Sequence, residues 1–212
     1  MAGHLAAVTA WMSIFGKSGT QPGKLNGEVT LLQGTGGVSI AGLQIAKAAG
    51  GKVIITSSSD EKLQRAVALG ADETINYKEN KEWQDTVMSL TSNNGADIIF
   101  ETGGAQTLYK SLDCVAFGGL IACIGYLSGK EDSAETPRLN LNLLALRRNV
   151  TLKGIIVGPR DVFEWEVLPF YEEHKIRPVV DKVFGFEEAK EAIKYLFSGG
   201  HFGKVVVRVV AE

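Results

Sequence analysis

The sequence predicts an α/β protein built on a doubly wound parallel sheet, with helices on both of its faces. Three observations predict it. Short apolar runs alternate with helical patterns from Val29 to His174. The first of these runs leads into a glycine cluster, Gly34, Gly36 and Gly37, which opens a helix of small residues. Glycine makes up 25 of the 212 residues and falls singly or in pairs at the ends of the runs, so it marks tight turns rather than disorder. Strands that alternate with helices in this way pair in parallel, and each crossover should be right-handed.

The elements follow in order. Residues 3–16 place Leu5, Val8, Trp11, Met12 and Phe15 at helical spacing, closed by Gly16. Turn residues fill 17–28. Val29–Leu32 is a buried strand, and 37–49 is a helix whose alanines and Gly42 permit close approach to a sheet. Val53-Ile54-Ile55 forms the next strand. Ser59 is placed as an N-cap for the helix Lys62–Leu69, with Asp60 and Glu61 favourably set near its positive end. Glu73–Asn76 is a short strand, 80–91 an amphipathic helix, Ala96–Glu101 a strand and 106–115 a helix. Gly118-Gly119 leads into the strand Leu120–Ile124. A polar loop spans 127–138. Asn140–Arg148 reads as a helix, Thr151–Val157 as a sixth strand and Asp161–His174 as a helix. The tail breaks this rhythm: a strand at 178–184, a helix Phe186–Phe197 and a strand Gly203–Val210 suggest a second module.

Composition narrows the function. The chain is 45% apolar and 22% charged, with a net charge of −2 and no basic stripe, so no nucleic-acid partner is expected. No run of eighteen apolar residues is present, and the N-terminus lacks a basic stretch followed by an apolar core, so neither a membrane partner nor a secretory leader is expected. The cysteines are Cys114 and Cys123, with no CxxC and no Cys/His cluster. A disulfide framework or a metal site is therefore not expected, and a reducing, cytoplasmic setting fits. Cys123, inside an apolar run, reads as a buried small hydrophobe rather than a nucleophile.

The chemistry lies in the stretch 29–60. Gly34-Thr35-Gly36-Gly37-Val38-Ser39 matches GxGxxG at its first two glycines and carries Ser39 at the third. A strand before such a loop and a helix after it aim backbone N–H groups and a helix N-terminus at a pyrophosphate. At the end of the second strand, where an NAD site places an acid for the ribose hydroxyls, this chain has Ser57 within Thr56-Ser57-Ser58-Ser59. Hydroxyls tolerate a 2′-phosphate, and Lys62 offers a cation. The reading favours NADP(H) over NAD(H), with Asp60 pointing the other way. Other strand ends, Asn76-Tyr77, Thr102-Gly103-Gly104, Gly125-Tyr126 and Val157-Gly158, fall on the same carboxyl edge of the sheet, where open α/β sheets bind ligands. A methyltransferase using S-adenosylmethionine also has a glycine turn after its first strand, but it carries an acid at the position of Ser57.

The segments AAVTAWMSIFG (6–16), LLQGTGGVSIAGLQIAKAAGGKVIITSSSDEKLQRAVALGADETINYKE (31–79), GADIIFETGG (95–104), GGLIACIGYLSG (118–129) and SGGHFGKVVV (198–207) resemble the medium-chain dehydrogenase/reductases, in particular the zinc-free quinone-oxidoreductase-like and alcohol-dehydrogenase-like branch. The resemblance implies a Rossmann sheet ordered 3-2-1-4-5-6 over residues 1–177. It implies that 178–212 is a β-α-β remnant of a largely absent, N-terminal GroES-like substrate domain. It also implies hydride transfer between NADP(H) and a small molecule such as a quinone, an enone or a small carbonyl or alcohol.

By position, the resemblance places Thr9 near the nicotinamide-side phosphate, Gly34, Gly36, Gly37 and Val38 around the pyrophosphate, and Ser57, Ser58, Lys62 and Tyr77 at the adenosine 2′-phosphate. Thr102, Gly103, Ile124, Gly125, Tyr126, Ile156 and Val157 would border the ribose and nicotinamide, and Phe202 and Lys204 would close over that same end. It implies a homodimer through the strand Thr151–Val157. It assigns no metal, and no catalytic residue can be named. Without the substrate domain, a non-catalytic NADP(H)-binding protein stands beside the enzyme as an alternative.

Overall fold

The computed structural model describes residues 4–16, 21–129 and 140–209. The turn expected at 17–20, most of the loop expected at 127–138 and the end of the last strand at Val210 lie outside the described residues. Helix α1 (His4–Phe15) precedes the regular alternation of β1 (Val29–Gln33), α2 (Gly37–Ala48), β2 (Lys52–Ser57), α3 (Asp60–Ala68), β3 (Glu73–Asn76), α4 (Trp83–Leu90), β4 (Ala96–Glu101), α5 (Leu108–Cys114), β5 (Val115–Cys123), α6 (Leu141–Arg148) and β6 (Thr151–Gly154). The six strands form one parallel sheet in the order β3-β2-β1-β4-β5-β6, as the resemblance implies. The order reverses between β1 and β4, and ligand crevices open at such a switch point.

Alternation along the strands divides the core. Leu32, Val53, Ile55, Ile98 and Phe100 face a layer containing α1 and α2, with Leu63 and Ala66 of α3. Leu31, Ile54, Ile75, Ile99 and Ile121 face Trp83, Val87 and Leu112 on the other side. At Gly42 the helix and the sheet come so close that a Cβ would stand 2.7 Å from the Phe100 ring, which excludes any larger residue there.

The structure departs from the expected elements in three places. Strand β5 begins at Val115, five residues earlier than expected, and bulges. Val115 pairs with Ala96 and Leu120 with Ile98, so 116–119 loop out through Gly118 at φ +73°. Strand β6 ends at Gly154, short of Val157. Ile155 N–H still reaches the Cys123 carbonyl at 2.9 Å, but beyond Cys123 the neighbouring chain turns its Ile124 N–H to Glu101, leaving 156 and 157 no partner in the sheet. The helix expected at 161–174 is interrupted. Between α7 (Arg160–Val162) and α8 (Leu168–Glu173), residues Phe163–Val167 form a π-helical turn. Pro169, which has no N–H to donate, follows directly, and the widened turn absorbs the register the proline disrupts.

The tail comprises β7 (Val180–Gly185), a 3₁₀ turn (Phe186–Glu188), α9 (Ala189–Phe197) and β8 (Lys204–Arg208). β7 and β8 pair in parallel as a separate two-stranded sheet. This small unit leans on the main sheet through its 199–204 turn.

Candidate cofactor site

The glycine loop has the geometry of an anion cradle. Gly34 lies at φ +74°, and a side chain there would project into open space, while a Cβ on Gly36 would meet only His201 Nε2, at 3.9 Å. Gly36 caps α2 in extended conformation with no side-chain cap, so the first-turn N–H groups of α2 are left for an external acceptor. Ser39, the departure from the third glycine, is 2% exposed and donates its hydroxyl to the Gln33 carbonyl at 2.8 Å. The serine thus fits the tight strand–helix contact by bonding back to the strand.

The tail holds this loop from outside. Gly203 N–H donates to the Thr35 carbonyl at 2.9 Å, and Gly36 and Gly203 form an isolated parallel bridge. The Lys204 stem lies over Gly37, where a Cβ would be 2.5 Å from its Cδ. Phe202 is 1% exposed beneath the Arg65 guanidinium, 4.2 Å from its ring centre. Phe202 and Lys204 therefore flank the phosphate loop and α3 rather than the nicotinamide end expected for them. The reason is the Gly203–Thr35 bond, which pins their turn beside β1 and β2. Phe202 serves as packing.

At the end of β2, Thr56 Oγ1 accepts the Gly34 N–H at 3.3 Å, Ser57 is buried and Ser58 half-buried. Tyr77 is 41% exposed and its N–H bonds to the Ser57 carbonyl at 3.0 Å. Ser59 caps α3 as expected, accepting the Lys62 N–H. The Lys62 ammonium donates to the carbonyl of Gly199 in the tail. Burial, with Arg65 and Lys78 nearby, lowers its pKa below the ordinary lysine range, against the opposing pull of Asp181 and Glu61. Asp60, the acid that argued for NAD, accepts from Asn76 Nδ2 at 2.8 Å. Arg65 is paired with Asp181 at 3.0 Å, which also accepts from the Tyr195 hydroxyl at 2.6 Å.

Across the switch point, Thr102-Gly103 and Ile124-Gly125-Tyr126 come together. Ile124 and Gly125 donate to the Glu101 carbonyl and Leu127 to that of Thr102, and a Cβ on Gly125 would meet the Thr102 carbonyl at 2.9 Å. The organiser of this corner is a residue that sequence reasoning passed over as a strand end. Glu101 is 1% exposed. Its carboxylate accepts from five donors, namely Gln33 Nε2, Ser111 Oγ, Thr107 Oγ1 and the N–H groups of Gly103 and Gly104. Gln33 Oε1 accepts from Thr102 and Gly103 N–H in turn. The one signal available in the sequence was the acid closing an otherwise apolar run.

The remaining candidates are less closely engaged. Ile156 and Val157 are 93% and 44% exposed beyond the end of β6. Thr9 is buried and its hydroxyl donates to the Leu5 carbonyl at 2.6 Å within α1. Cys114 is fully buried and burial pushes its thiol far above the ordinary range; Cys123 is shifted upward by burial and by Glu101. Neither is set up as a nucleophile. Among the described residues, no group of three or more His, Cys, Asp or Glu is placed to hold a metal ion.

Known proteins share this architecture. A zinc-type alcohol dehydrogenase-like protein of Schizosaccharomyces pombe is 42% identical over 96% of this chain and 58% of its own length. A quinone oxidoreductase-like protein 2 homologue of Nematostella vectensis is 28% identical over 94% of the chain and 54% of its own. Among solved structures, an NAD-dependent alcohol dehydrogenase superposes with a TM-score of 0.83 at 34% identity, covering 97% of this chain and 57% of that one. The quinone oxidoreductase of Thermus thermophilus, studied also in complex with NADPH, gives 0.75 at 31% identity, covering 96% and 64%. The chain thus spans little more than half the length of the curated relatives it matches. Residues 37–173, from the glycine loop to the end of α8, match the zinc-binding dehydrogenase model, and the chain belongs to that family within the medium-chain dehydrogenase/reductases.

Proposed function

We propose that the chain is the cofactor-binding part of an NADP(H)-dependent oxidoreductase acting on a small quinone, enone, carbonyl or alcohol. The observation that carries this reading is the pairing of an uncapped glycine loop with a β2 end that offers Ser57, Ser58 and Lys62 where an NAD site has an acid. Open space at Gly34 fits a pyrophosphate. Solved relatives described as NAD-dependent or as complexed with NADPH support a nicotinamide cofactor of either kind.

In this reading the α2 N-terminus and the N–H groups of Gly37 and Val38 hold the pyrophosphate, and Lys62 with the serines and Tyr77 holds the 2′-phosphate. Thr102, Gly103, Ile124, Gly125 and Tyr126 border the ribose and ring, with Ile156 and Val157 at its open side. The bound nicotinamide supplies the hydride at its C4. This chain's residues orient the ring, hold the Thr102–Gly103 turn rigid through Glu101, and keep water from one face. We assign 178–212 to a second, substrate-side module, for which the exposed Val183, Ile193, Leu196 and Phe197 are the support. The unpaired edge strand β6, with Leu152 and Ile156 exposed, supports a homodimer formed along that edge. No helix is long and apolar enough to cross a membrane among the described residues.

A second reading is an NADP(H)-binding protein without turnover. Titration with NADPH and NADH, followed by addition of a quinone or enone while the reduced-nicotinamide absorbance is watched, tests both. Binding with oxidation supports the enzyme, and binding without oxidation supports the second reading. No binding of either dinucleotide refutes both.

A further inference from the structure

We propose that His201 is a further ligand of the cofactor's pyrophosphate, and that its imidazole takes up a proton when the pyrophosphate binds. The proposal rests on the dinucleotide reading above. It deepens that reading by adding a residue from the tail to the phosphate site.

His201 lies in the turn between α9 and β8 and is half-buried. Its Nε2 stands 3.9 Å from the point where a Cβ on Gly36 would be, so that nitrogen faces the N-cap of α2. Its Nδ1 is buried with no hydrogen-bond partner. A neutral imidazole has one donor and one acceptor, whereas an imidazolium donates from both nitrogens.

The charged groups facing this ring come from every element around it. Lys62 approaches from α3, Lys204 from β8 and Asp181 from β7. Arg65 of α3 lies over the adjoining Phe202. Asp181, bonded to Arg65 and Tyr195, opposes the two lysines. In the free protein, burial first and then Lys62 and Lys204 hold the imidazole below its ordinary pKa, with Asp181 opposing. A pyrophosphate over Gly36 and Gly37 reverses that balance. It brings negative charge to the face where Nε2 points and gives the protonated ring an acceptor. A charge-assisted hydrogen bond of this kind changes affinity by about ten- to a hundredfold.

The test separates this residue from the 2′-phosphate, which titrates in the same range. ADP-ribose carries the pyrophosphate and no 2′-phosphate. Calorimetric titration of the whole chain with ADP-ribose should show a Kd about tenfold tighter at about pH 5.5 than at about pH 8, with protons taken up in the binding step. His201→Gln should flatten the profile. In the wild-type protein, the imidazole resonances of His201 should titrate at higher pH when ADP-ribose is present. Binding that is independent of pH in the wild type, an unchanged slope in His201→Gln, or an unmoved His201 titration overturns the proposal and leaves the dinucleotide site standing. Failure of ADP-ribose, NADPH and NADH to bind at any pH overturns the site and the proposal together.

Discussion

Replacing Lys62 by alanine tests the choice between the two dinucleotides at one atom. The Lys62 ammonium donates to the Gly199 carbonyl, and a 2′-phosphate would compete with that contact for the same group. A charge-assisted bond contributes about 1.5–3 kcal/mol, and the exposed bond to Gly199 offsets about 0.5–1.5 kcal/mol of it. The difference, about 1–2 kcal/mol, corresponds to an approximately 5- to 30-fold loss of NADPH affinity in Lys62→Ala. NADH, which presents only a hydroxyl there, should change by less than about twofold. The loss of the Gly199 contact should lower folding stability by no more than about 1.5 kcal/mol, so both cofactors are measured on folded protein. Parallel calorimetric titrations of the two proteins with the two cofactors give the four constants needed. Equal losses for NADPH and NADH would refute the assignment of Lys62 to the 2′-phosphate and return the site to a generic dinucleotide pocket.

Three further outcomes follow from the same structure. Glu101→Gln replaces one acceptor oxygen of a carboxylate that receives five donors by an NH₂ group, and should cost about 2–4 kcal/mol in urea unfolding while weakening both dinucleotides alike. Phe202→Ala empties a 1% exposed position and removes the ring beneath Arg65, so it should cost about 3–5 kcal/mol, read as a lowered thermal midpoint. Cys114, fully buried with its thiol shifted upward, should resist iodoacetamide at about pH 8 in the native chain and react on unfolding.

The regular part of the fold was legible because each βα unit announces itself locally. An apolar run, a glycine turn and a capped helix lie within thirty residues of one another, and the switch-point order then follows from the resemblance. Ser59 as a cap and Gly42 as a contact glycine could be read for the same reason. What was not legible depends on partners far apart in the chain. Glu101 looks like any strand-end acid until donors from Gln33, the 103–107 turn and Ser111 converge on it. The bond from the Thr9 hydroxyl to the Leu5 carbonyl is likewise not written in the sequence. The length of β6 depends on where β5 turns away, and the position of Phe202 and Lys204 depends on a bond between Gly203 and Thr35.

That last bond bears on how the site works. The glycine loop is braced on both sides, by Ser39 bonded to Gln33 from within and by Gly203 bonded to Thr35 from without. A loop held in this way loses little freedom when an anion binds, so the pyrophosphate term should be nearly the same for either dinucleotide. The Lys62–Gly199 contact is different, since on the proposed reading a 2′-phosphate competes for that ammonium and a ribose hydroxyl does not. On the proposed reading, cofactor choice turns on one contact between α3 and the tail. A change that stiffens the 198–200 turn in its present position should shift preference toward NADH without altering the affinity for the pyrophosphate.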